Sequence, residues 1–249
     1  MAVQHEIKSQ LAKLLATEDL IVEHRKVETA CFNVHTRVLT LPMWERASGT
    51  VYDLLVGHEV GHALFTPDEN WIKYKKIPPQ FVNVVEDARI EKLMKRKYPG
   101  LAKTFYRGYK ELNDEDFFSI SDESVADFNL ADRANLYFKI GNFLDLSFTE
   151  EEMAIIRMIG GCEDFDDVLL AAEVLYKYCK KQQEKPKQEM PPMSNEGNAP
   201  GDVDETESGE SQEIESDSIP TEEQSEDDDI EVQTAEALSE NLKDLVREH

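Results

Sequence analysis

His58 and His62 lie four residues apart, with Glu59 beside the first, in the string His58-Glu59-Val60-Gly61-His62. On a helix, positions i and i+4 project from one face, so both imidazoles can reach a single metal ion. Such an ion lowers the pKa of its water toward about 7, and an open fourth position leaves room for a carbonyl. Glu59 sits where its carboxylate can hydrogen-bond that water and take its proton. Chance supplies this pattern on the order of 0.01 times per chain of this length. The apolar setting argues further against chance, because two histidines and a glutamate are costly to bury. The chemistry implied is metal-assisted hydrolysis, with His58 and His62 as ligands and Glu59 as general base.

Two imidazoles are too few for a stable site, so a third ligand is required. His5, His24, His35 and His249 form no motif, and His35, in an expected strand, reads as structural. The better source is the next helix, Asn83 to Glu91, which begins a short loop after the motif and can pack antiparallel to it. On its wheel Glu86 is surrounded by Val82, Ile90 and Leu93, where an unpaired carboxylate is unfavourable. That makes Glu86 the favoured ligand. Asp87 is the alternative, with Asn83 and Glu91 one turn away on either side to steady it. Tyr106 and Tyr109 could donate to an oxyanion, although aromatic residues at this spacing more often belong to a core.

The elements that must hold these residues follow from periodicity and punctuation. Helical spacing of Ile7, Leu11, Leu14 and Leu15 predicts a helix over 3–17, and β-branched density predicts strands near 20–27 and 31–41. Asn33–Leu41 is a candidate edge strand for an extended peptide substrate. The motif helix starts after Ser48 or Thr50 and stops at Pro67; Pro78-Pro79 opens the next. Gly57 and Gly61 would allow close approach of a backbone or a ligand. Helices are expected over 101–112, 122–145, 148–160 and 164–183. The fold class is therefore α+β, predominantly helical, with a short N-terminal β ribbon before the motif helix.

Charge divides the chain. The formal net charge is −25 over 249 residues, yet Pro191–Ile230 alone carries 15 acids and no Lys or Arg. Without that stretch and the acidic C-terminal piece, residues 1–190 carry −7. The expected organisation is a domain over 1–184, an acidic disordered linker over 185–232, and an amphipathic helix over 233–249 bearing Ala235, Leu238, Leu242 and Leu245. The acidity argues against nucleic acid or an anionic membrane as partner. No run approaches the ~18 apolar residues of a membrane span, and Cys31, Cys162 and Cys179 form no disulfide framework. A cytoplasmic protein is expected.

At His58–His62 together with Glu86–Glu91, the chain resembles the zincin metallopeptidases whose third ligand is an acid on a following helix. The string EDARIEKLMKRKYPGLAK is similar to a stretch in cobalt-chelatase-type and nitric-oxide-reductase accessory proteins, and in phage and bacterial proteins of like layout. Those pair a metallopeptidase-like region with an acidic linker and a von Willebrand A domain, for which residues 231–249 leave no room. Ile90, not an acid, lies four residues after Glu86, a departure from the commonest glutamate pattern that keeps Asp87 in contention. The resemblance implies Zn2+ on His58, His62 and Glu86 (or Asp87), and hydrolysis of a peptide or protein substrate with Glu59 as base. The alternative is a non-proteolytic metal-binding adaptor that recruits a partner such as an AAA+ ATPase through its acidic tail and terminal helix.

Overall fold

The computed structural model describes residues 20–27, 30–33, 35–44, 46–67, 77–121, 124–184 and 230–246. The expected helix over 3–17 and the acidic stretch 185–229 lie outside these residues. What is described is α+β and mostly helical: three short strands precede seven helices.

Strands β1 (Ile21–Arg25), β2 (Cys31–Asn33) and β3 (Val38–Pro42) form one sheet in the order β1-β3-β2. β1 runs parallel to β3 with Ile21 opposite Val38, and β2 runs antiparallel to it with Cys31 opposite Thr40. The single strand expected over 31–41 is thus a hairpin. Asn33 breaks it: its Oδ1 accepts from the backbone N–H groups of His35 and Thr36, each at 3.0 Å, an Asx turn that competes with strand pairing. Arg37 closes the turn at φ 58°. His35 therefore lies exposed in a turn, not in a strand. β3 is paired on both sides, so it is not the edge on which a substrate strand could add.

Helix α1 (Gly49–Phe65) carries the motif. Ser48 caps it, its Oγ accepting from the Val51 N–H at 3.1 Å, and Thr66 ends it just before Pro67. Apolar residues cover α1 on nearly every side because it packs against the sheet, α2 (Pro79–Lys97) and α3 (Leu101–Asp114). Two glycines allow the close approach. A Cβ on Gly61 would lie 3.0 Å from both Ile90 and Met94 of α2, and one on Gly108 of α3 would lie 2.7 Å from the Cβ of Leu54.

The run 122–145 holds a shorter helix than expected, α4 (Leu130–Ile140), because Asn129 caps it by accepting from the Asp132 N–H. α5 (Glu150–Gly161) and α6 (Phe165–Gln183) each open with a capping box, Thr149 with Glu152 and Asp164 with Asp167. α7 (Gln233–Asp244) belongs to the same compact unit as the residues up to Glu184. No helix among the described residues is long and apolar enough to cross a membrane.

Candidate metal centre

α1 presents His58 and His62 toward α2, which presents Asp87 to them. The two Nε2 atoms lie 3.2 Å apart. Asp87 Oδ1 is 3.3 Å from Nε2 of His62 and 3.6 Å from Nε2 of His58. Ligands bonded tetrahedrally at about 2.0–2.1 Å sit about 3.3–3.4 Å from one another, so these three atoms have the spacing of three corners of such a site.

The hydrogen bonds behind the rings assign the tautomers. His58 Nδ1 lies 3.2 Å from Glu91 Oε1, and a carboxylate only accepts, so Nδ1 carries the proton. His62 Nδ1 lies 3.0 Å from Thr66 Oγ1, whose single hydrogen goes to Glu86 Oε1 at 2.5 Å. Nδ1 of His62 is therefore also the donor. When both rings are neutral, both Nε2 lone pairs then face each other and a carboxylate oxygen. Three acceptors at this range repel unless something positive sits among them, either a cation or an added proton.

Glu86, the favoured third ligand from sequence, does not join this group. Its side chain is buried and held by Arg89, with Nε to Oε2 and Nη2 to Oε1 both 2.7 Å. The apolar wheel around Glu86 did demand a partner, but that partner is the guanidinium three residues on in its own helix. Glu86 instead supports His62 from behind, through Thr66. Asp87 stands in the ligand position because Asp87, Ile90 and Met94 share the face of α2 that meets Gly61.

Charge around the group is dense. Burial works to lower the pKa of His62, but the hydrogen bond and charge of Asp87, with Glu59 and Glu86, raise it overall. Burial likewise works to raise Asp87, yet Lys139, His58 and His62 hold it far below the usual carboxylate range. Glu91 is lowered to about 2, against the effect of burial, by Lys139, His58 and Lys95. The Tyr109 phenol is pushed well up by burial and by Glu91. Its hydroxyl donates to Glu91, so it is committed to the ring of residues behind His58 and not to an oxyanion. Tyr106 is 50% exposed and packs on Phe143.

Thr66 and Lys139 had no place in the motif reading. Thr66 carries no sequence signal beyond its place just before Pro67. Lys139 carried a signal: with Asp132 and Asn135 it forms a polar stripe at helical spacing along α4, and all three are buried.

A cavity of about 380 Å³ is lined in part by His58, Glu59, His62 and Asp87. Trp44, Leu54, Leu55 and Leu112 also line it, as do Leu238 and Leu242 of α7. Glu59 is half-buried and opens onto this space. Comparison with protein-family models, with curated proteins and with solved structures finds no match to the chain.

Proposed function

We propose that the chain is a zinc-dependent peptidase whose metal is held by His58, His62 and Asp87. The observation that carries this reading is the convergence of His58 Nε2, His62 Nε2 and Asp87 Oδ1 near tetrahedral edge distances, with both Nδ1 atoms hydrogen-bonded from behind. Two imidazoles and one carboxylate are a donor set that suits Zn2+, and three protein ligands leave a fourth position open, as hydrolysis requires. When bound, the ion polarises a carbonyl and acidifies a water. Glu59 takes the proton as the water's oxygen bonds to the carbonyl carbon, then delivers it to the amide nitrogen as the C–N bond breaks. The apolar residues of the cavity suit a substrate side chain.

The adaptor reading has less to draw on. It relies on the acidic tail together with a terminal helix available to a partner, and Leu238 and Leu245 are buried in the body.

The test pairs Glu59→Gln with wild type on unfolded casein and a peptide library after zinc loading. Cleavage by wild type alone supports the proposal. Equal cleavage by both, or none by either, removes it. Metal analysis of His62→Ala gives a separate answer: stoichiometric zinc lost supports the ligand set, and zinc retained moves the site elsewhere.

A further inference from the structure

Lys139 is the charged group at this site that the hydrolytic reading leaves without a task. Its side chain is 5% exposed, and burying an ammonium costs several kcal/mol unless it is well paired. Nζ lies 3.0 Å from Asp87 Oδ2 and 3.1 Å from the Tyr109 hydroxyl, with Glu91 Oε1 at 3.5 Å. The ammonium therefore grips both carboxylates of α2 that serve the histidines: the one facing the Nε2 atoms and the one behind His58. On Asp87 the two oxygens are divided, Oδ1 toward the imidazoles and Oδ2 toward Nζ.

We propose that Lys139 is a positioning residue that fixes Asp87 as a one-oxygen ligand by holding Oδ2 away from the metal. The inference rests on the metal-centre reading above and deepens it. A carboxylate whose second oxygen is unpaired can turn and bind an ion through both oxygens, and that would fill the position a water or carbonyl needs. The Oδ2–Nζ contact prevents the turn. Charge neutralisation alone would need an ammonium anywhere between Asp87 and Glu91. Control of coordination needs it on Oδ2.

The experiment loads wild type and Lys139→Met with Co2+ and records visible absorption, which is strong for a four-coordinate ion and weaker as coordination number rises. A strong band in wild type and a clearly weaker one in Lys139→Met is expected. The same band in both overturns the inference while leaving the metal centre intact. Failure of wild type to bind Co2+ or Zn2+ removes the metal centre and this inference with it. Should circular dichroism show Lys139→Met unfolded, X-ray absorption of zinc-loaded wild type decides alone. A single bound carboxylate oxygen supports the inference, and the short zinc–carbon distance of a chelating carboxylate overturns it.

Discussion

At the scale of single residues, the contrast between Glu86 and Asp87 is the sharpest result. They are neighbours in sequence with opposite work: Glu86 holds Arg89, and Asp87 faces the imidazoles. Their substitutions should separate accordingly. Asp87→Asn is expected to fold and to lose stoichiometric zinc, as read by metal analysis of the purified protein. Glu86→Ala is expected to lower stability by about 3–5 kcal/mol, because it strands a buried guanidinium. Denaturant unfolding measures this, and the folded fraction should still bind zinc. Zinc retained by Asp87→Asn, or lost selectively by Glu86→Ala, would reverse the assignment. That His58 and His62 share one face was legible from spacing alone, since i and i+4 do so in any helix. Which acid of α2 faces them was not, because 86 and 87 differ by about 100° of rotation and either can face α1.

At the scale of elements, caps and close contacts decide. Ser48 starts α1, one of the two starts expected there, and Thr149 and Asp164 start α5 and α6 through capping boxes. Asn33 and Asn129 shortened two expected elements by the same local chemistry. Gly108→Ala would drive a methyl into Leu54 and separate α3 from α1, so a loss of about 1–3 kcal/mol is expected in denaturant melts. The α4–α5 junction adds a pH dependence. Arg133 of α4 pairs with Glu152 of α5, and although burial works to raise the Glu152 carboxyl, the Arg133 bond and the Thr149 N–H lower it. A depressed carboxylate stabilises the fold fully above its ordinary value near 4.5, and that contribution is lost as pH falls through the lowered folded value. Glu152→Gln is therefore expected to lower the melting temperature at pH 7, with the gap to wild type closing as pH drops below about 4.5.

At the scale of the whole molecule, residues 230–246 join what the rest of the chain leaves as two apolar clusters. Ile230 and Val232 pack in the cluster of α2, α4, α5 and α6, while Leu238 and Leu245 pack in that of the sheet, α1 and α3. Asp132 supplies the cap that Val232 cannot, its Oδ1 accepting from both the N–H and the hydroxyl of Thr234 at 2.8 Å. Thr234→Val should strand part of that buried carboxylate and cost about 1–3 kcal/mol in thermal or denaturant unfolding.

Local sequence sets the helical spacing of His58 and His62, the order of the helices, the Ser48 cap of α1 and the apolar stripe of α7. These are short-range properties, set by backbone periodicity and by hydrogen bonds between residues a few positions apart. Packing between helices settles which acid of α2 meets the histidines, what holds its second oxygen, and where α7 rests. Those depend on the rotation of one helix against another, set here by Gly61 against Ile90 and Met94, and on Lys139 reaching Asp87 from 52 positions along the chain. No local pattern encodes a contact of that kind, because its energy exists only once the helices are packed.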